Sequence, residues 1–128
     1  KVRKFLVLIL CCSSFSLSAE SNVEDCQLFG SLCKLQANFE LADKELNDVY
    51  KNIMNQINSG ELSDRTLVDS AELKQSLLSS QRIWLQFKKS NCDAFYVLQS
   101  GGSQRNEARM ECEIEMTKER TNYLISWY

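Results

Sequence analysis

The sequence contains no proline and no histidine among its 128 residues, and only four glycines. Without proline and with little glycine, few positions interrupt a long helix. Without histidine, the chain cannot use Ser-His or Cys-His catalysis, bind a metal through imidazole or use an imidazole pH switch. No marked lysine takes over the role of a general base, so the sequence predicts a protein that is not an enzyme.

Residues 1–19 have the pattern of a cleaved signal peptide. Lys1, Arg3 and Lys4 form a basic start, and the apolar run at 5–12 is too short to span a bilayer. Small residues at 16–19 offer a cleavage site. We therefore expect residues 20–128 to form a single exported domain, periplasmic or secreted, with no membrane segment in its mature form.

Cys11 and Cys12 lie inside this leader. Lipid attachment at either cysteine stays open but is disfavoured, because Leu10 rather than a small residue precedes Cys11.

The expected mature domain is acidic. Residues 20–128 hold twelve Lys and Arg against seventeen Asp and Glu, a formal charge of about −5. Such a domain has no evident affinity for nucleic acid or anionic lipid, and it suits a cationic protein partner. No cofactor is indicated, and the oligomeric state is not predicted.

Three helices are predicted from apolar residues that recur every three or four positions. They cover residues 34–58, 68–99 and 104–126, with a polar connection to about Thr66 and a turn at Ser100-Gly101-Gly102-Ser103. No strand alternation occurs, so the predicted fold is all-α: a small antiparallel, up-down-up, three-helix bundle. The stripe of the second helix is Leu73, Leu77, Trp84, Phe87 and Phe95, and that of the third is Cys112, Met116, Tyr123 and Trp127.

Four cysteines follow the leader: Cys26, Cys33, Cys92 and Cys112. An even number in a small exported chain indicates disulfides, and the spacing lacks the short paired knuckles of a zinc site. Cys92 and Cys112 lie level on two antiparallel helices, which favours Cys92–Cys112 with Cys26–Cys33. The alternative pairing, Cys33–Cys92 with Cys26–Cys112, stays open at this point.

The third helix carries Glu107, Glu111, Glu115 and Glu119 at four-residue steps. This pattern is compatible with a docking surface for a basic protein, or with a solvated face partly offset by Arg109 and Glu113.

The connection before that helix is a second candidate for partner binding, because loops mounted on rigid helices often carry function. A plain helix connection explains it equally well. Its candidate residues are Gly101, Gly102, Ser103, Gln104 and Arg105.

Several segments resemble one known family. They are ADKELNDVY at 42–50, QRIWLQFKKSNC at 81–92, Gly101-Gly102-Ser103, Cys112 and MTKER at 116–120. In this order they are similar to the LprI-type lysozyme-inhibitor domains of bacterial secreted proteins, over about residues 33–124. Within these motifs we interpret Leu46, Tyr50, Trp84 and Phe87 as packing positions, and Asp43, Asn47 and Arg120 as a polar network near the cysteines.

The resemblance implies an exported protein that binds and inhibits a peptidoglycan-cleaving enzyme, most simply a lysozyme. Two alternatives remain: a periplasmic immunity protein against a toxin that attacks the cell wall, and an envelope structural module without an enzyme target. All three are binding roles, and fold-level similarity alone does not choose among them.

Overall fold

The computed structural model describes residues 26–28 and 31–127, so the leader expected at 1–19, with Cys11 and Cys12, lies outside the described residues. Four helices follow in order: α1 (Leu32–Asn58), α2 (Glu61–Thr66), α3 (Ser70–Leu98) and α4 (Arg105–Ile125). The described part of the chain has no strand, which confirms the all-α class. The three-helix count is wrong, because the predicted polar connection contains α2.

The connection between α1 and α3 forms a tight corner. Gly60 begins α2 with a φ of 84°, a left-handed conformation that glycine adopts without steric cost. Leu67 ends α2 with a φ of 58° and is 93% exposed. Asp69 then caps α3, since its carboxylate accepts hydrogen bonds from the backbone amides of Ala71 and Glu72 at 2.8 and 3.2 Å. These backbone conformations let the chain reverse direction within ten residues or so.

Helix α4 lies between α1 and α3 and packs against both, whereas α1 and α3 contact each other less. Lys88 of α3 lies over Phe39 near the start of α1, and Lys74 near the start of α3 reaches Asn58 at the end of α1. Helices α1 and α3 are therefore antiparallel.

A single apolar cluster fills the end of the bundle near α2. Residues from all four helices meet there, so this end depends on ordinary hydrophobic packing. The buried members are Leu46, Ile53, Ile57, Leu62, Leu77 and Leu124, and Val49, Tyr50, Met54, Leu73, Trp84 and Trp127 pack against them.

The stripe predicted for the third helix needs correction. Cys112 is buried and Met116 is half-buried, but Tyr123 is exposed. The helix instead buries the face that carries Ile114, Thr117, Thr121 and Leu124. The two threonines sit inside because each hydroxyl donates to the backbone carbonyl four residues earlier, which satisfies it without water.

Two disulfides join Cys26 to Cys33 and Cys92 to Cys112, the pairing that the spacing favours. Cys92 is completely buried and Cys112 is 7% exposed. The second bridge therefore ties α3 to α4 from inside the bundle. None of the described helices is long and apolar enough to cross a membrane.

We predict that the two bridges contribute unequally to stability. Replacing Cys92 and Cys112 by serine opens a link across 20 residues and should lower the free energy of unfolding by about 3 kcal/mol. Replacing Cys26 and Cys33, which are separated by 7 residues, should cost about 2 kcal/mol. Urea denaturation of both double variants measures the difference, and equal losses or the reverse order would contradict this ranking.

Candidate functional site

Helix α4 presents its glutamates in one acidic row: Glu107, Glu111, Glu115 and Glu119. Glu107 is half-buried and the other three are exposed. No ion pair among the described residues involves the acidic row, since Arg109 pairs instead with Glu113 and Asp93. The negative charge of the acidic row is therefore not neutralised within this part of the chain, and it is available to attract a cationic surface.

A groove of about 330 Å³ runs between α3 and α4. Glu111, Glu115 and Glu119 of the acidic row form part of its α4 wall, and Phe95 on α3 forms part of the facing wall. At the base, Asn91 Nδ2 lies 3.4 Å from Met116 Sδ and 3.7 Å from Cys112 Sγ. The groove thus combines an acidic margin with an apolar and sulfur-rich base. Its lining residues are Asn91, Phe95, Gln99, Ala108, Glu111, Cys112, Glu115, Met116 and Glu119.

A second cleft, of about 280 Å³, continues the groove toward the loop that joins α3 and α4. Gln104, Glu107 and Glu111 line it together with Gln99. Glu111 lines both the groove and the second cleft, so the two form one continuous surface. The candidate residues along it are Gln104, Glu107, Glu111 and Glu115.

The loop itself is exposed to solvent. Residues 100–104 are all exposed, a Cβ at Gly101 would meet nothing within 4 Å, and one at Gly102 would make only ordinary contacts. Neither glycine has a positive φ, so larger side chains fit here without backbone strain. Arg105 belongs to α4 instead, and its guanidinium lies 4.9 Å from the centre of the Tyr96 ring. The exposed loop therefore ends at Gln104, and Arg105 begins α4.

The base of the loop is braced. Beside the Cys92–Cys112 bridge, Arg109 Nε lies 3.4 Å from Asp93 Oδ1 on α3 and 3.1 Å from Glu113 Oε1 on α4. The hydrogen bond from Lys89, with the charges of Lys89 and Arg109, holds the pKa of Asp93 below its ordinary value. Asp93 therefore stays ionised at neutral pH, and its small contribution to stability is lost as the pH falls from the ordinary pKa through this lowered value.

Behind the groove, two cations contact Trp84. Lys88 Nζ lies 5.0 Å from the centre of the Trp84 ring and 5.6 Å from that of Phe39, and it donates to Thr117 Oγ1 at 3.1 Å. The guanidinium carbon of Arg120 lies 5.8 Å from the centre of the Trp84 ring. Cation–π contacts of this kind stabilise a charge that has lost part of its water.

Arg120 also crosses from α4 to α3 through hydrogen bonds. Nε donates to Gln81 Oε1 at 3.1 Å and a terminal nitrogen donates to Ser80 Oγ at 3.0 Å. Partial burial lowers the pKa of Arg120, while nearby Tyr123 opposes this change. The side chain remains charged at neutral pH, so the contact fixes α4 against α3 electrostatically as well as sterically.

Two interpretations of the motif residues are wrong. Asp43 and Asn47 bond to each other on α1 at 2.9 Å, whereas Arg120 bonds to α3, so the three do not form one network. Phe87 is 59% exposed and does not pack between helices. Leu46 is buried in the core, with Tyr50 and Trp84 packed against it.

Phe87 is exposed because it lies at the margin of the apolar stripe of α3. The buried positions of α3 are Leu77, Lys88 and Cys92. At 100° per residue, Phe87 lies about 110° around the helix from their mean direction, whereas Phe95 lies within about 30° of it. Hydrophobic periodicity counts lysine as polar, so it does not predict that Lys88 is buried.

The described residues contain no group of three His, Cys, Asp or Glu side chains that could hold a metal ion. The four described cysteines are all paired with each other. The groove has charge on one wall and apolar contact area on the other.

Comparison with known proteins agrees with the resemblance seen in the sequence. The model of the family described as "Lysozyme inhibitor LprI" matches residues 30–124. An uncharacterized protein of Rhizobium meliloti (strain 1021) is 28% identical over 123 residues, which cover 91% of this chain and 86% of that protein. No solved structure shows a significant match.

We predict that Arg120→Lys lowers the free energy of unfolding by about 1–2 kcal/mol, because lysine cannot reproduce both hydrogen bonds and the stacking on Trp84. Arg82→Lys serves as the matched control, since Arg82 is exposed and forms no ion pair with the described residues. Urea denaturation measures both variants. Equal stability of the two would show that the Arg120 contacts contribute nothing.

Proposed function

Since the chain belongs to the LprI family of lysozyme inhibitors, we propose that it binds and inhibits a peptidoglycan-cleaving enzyme, most simply a lysozyme. It acts as an exported protein, periplasmic or secreted, as the basic and apolar leader at residues 1–19 indicates. The two disulfides fit this location, because such bonds persist in oxidising compartments. Its role is binding rather than catalysis.

The observation that carries the proposal is the acidic row along the α3–α4 groove, which has no ion pair with the described residues. A cationic rim around the cleft of the enzyme is the complementary surface. Charge complementarity of this kind accelerates the encounter and fixes the orientation of the two proteins.

An element that enters the cleft of a glycosidase reaches the two carboxylates that flank the scissile bond. Those carboxylates accept hydrogen bonds, so the inhibitor must supply donors. Ser103 and Gln104 carry a hydroxyl and an amide on an exposed loop. Because the loop is anchored by the Cys92–Cys112 bridge and by Arg109, it enters the cleft as a preorganised element and loses little entropy on binding.

We predict stoichiometric inhibition of a lysozyme that weakens as salt is raised, measured by a turbidity assay on the oxidised full chain expressed for export. Reversing two charges of the acidic row, Glu111→Lys with Glu115→Lys, should raise the inhibition constant at least tenfold at low salt and flatten its salt dependence.

The control for this prediction is Glu40→Lys with Glu45→Lys, which changes the net charge equally at exposed positions of α1. At moderate salt its inhibition constant should stay within about threefold of the parent, since charges more than a Debye length from the interface are largely screened there. A folded parent protein that inhibits neither c-type nor g-type lysozyme would exclude the lysozyme assignment and favour the immunity alternative.

For the loop, we predict that Gly102→Tyr with Ser103→Tyr abolishes inhibition without changing the melting temperature, because both positions are exposed and Gly102 has no strained backbone. The matched variant Asp64→Tyr with Arg65→Tyr places the same side chains on α2, at the other end of the bundle. Inhibition should survive in that variant. If it also survives in the loop variant, the loop does not enter the cleft.

A further inference from the structure

Helix α3 exposes a row of large apolar side chains, which we name the apolar rim: Ile83, Phe87, Phe95 and Leu98. Their side chains are 63%, 59%, 44% and 76% exposed, in that order. They are spaced by four, eight and three residues, so all four fall within an arc of about 120° on the helix. The apolar rim extends for roughly 20 Å along one face of α3.

The apolar rim borders the groove that the acidic row lines. Phe95 belongs to both features, and Asn91 at the base of the groove lies one helical turn after Phe87. Phe87 therefore continues the row of Asn91 and Phe95 by one turn, and Leu98 lies beside that row, three residues after Phe95. The result is a surface with a row of carboxylates on α4 and a row of apolar side chains on α3.

Folding of the bundle does not require the apolar rim. The contacts that α3 makes with the rest of the bundle come mainly from Leu73, Leu77, Trp84, Lys88 and Cys92. The large exposed fractions of Ile83, Phe87 and Leu98 show that most of each of these side chains takes no part in those contacts. Serine at an exposed position such as Phe87 would leave those contacts intact. Contiguous exposed apolar residues that folding does not use are typical of protein-binding surfaces, in which aromatic side chains are enriched at the centre.

The negative charge of the acidic row favours a basic protein over a second copy of this chain as the partner of this surface. A second copy docked antiparallel through the apolar rim would bring the two acidic rows to the same side, where like charges repel. A protein with an apolar centre and a basic margin meets both walls favourably instead.

We infer that the apolar rim and the acidic row form one interface for a basic protein, in which the rim determines the lifetime of the complex and the row determines its rate of formation. This inference rests on the proposed function for the identity of the partner, which we take to be the inhibited lysozyme. Buried apolar contacts act mainly on dissociation, whereas exposed charges act mainly on association.

The test measures binding kinetics on immobilised lysozyme separately from the turbidity assay. Phe87→Ser should raise the dissociation rate at least tenfold, leave the salt dependence of association unchanged and leave the melting temperature unchanged. Leu41→Ser is the matched control, because Leu41 is 55% exposed on α1 and does not line the groove. Glu115→Lys should instead slow association and reduce its salt dependence.

The outcomes separate the two proposals. Inhibition by the parent with equal dissociation rates for Phe87→Ser and Leu41→Ser overturns the inference and leaves the proposed function standing. Binding without inhibition, weakened by Phe87→Ser, overturns the proposed function and supports the interface. No binding overturns both. Sedimentation velocity adds one more outcome: a dimer of the parent that Phe87→Ser dissociates would assign the apolar rim to a second copy and overturn the inference.

Discussion

The buried bridge between Cys92 and Cys112 is the constraint on which the rest of the molecule depends. Because it fixes the register of α3 against α4, it sets which side chains face each other across the groove. With Glu111, Cys112 and Glu115 on one side and Asn91 and Phe95 on the other, a shift by one residue would turn either wall away. The bridge thereby also restricts the relative positions of the two helix ends that the loop joins.

The two ends of the bundle are stabilised by different physical effects. Near α2, aliphatic side chains such as Ile53, Leu77 and Leu124 pack into one apolar cluster. Toward the cysteine end, polar chemistry replaces that cluster: a lysine held between two aromatic rings, buried threonines bonded to their own helix, and a disulfide. The end that carries the candidate binding surface therefore depends less on bulk hydrophobicity, and its rigidity comes from directional contacts.

Hydrophobic periodicity predicted α1 well because that helix has a single apolar stripe, and Leu46, Ile53 and Ile57 are all buried. On α3 it identified Leu73, Leu77 and Trp84 correctly, but it also assigned the exposed Phe87 to the stripe, because periodicity does not reveal where an apolar stripe meets solvent. A six-residue helix such as α2 is shorter than the window over which a period can be recognised. The acidic row was visible in the sequence, but its position beside Phe95 and Met116 required the packing of α3 on α4.

The bridge also bears on what a protease can do to this protein. The most exposed stretch between α3 and α4, residues 100–104, lies inside the segment that Cys92 and Cys112 enclose. Loop tips of small residues are preferred sites of cleavage. A cut there would not separate the chain into two molecules, since both fragments stay covalently joined and packed in register. The nicked form would be distinguishable from the intact chain by size only after reduction.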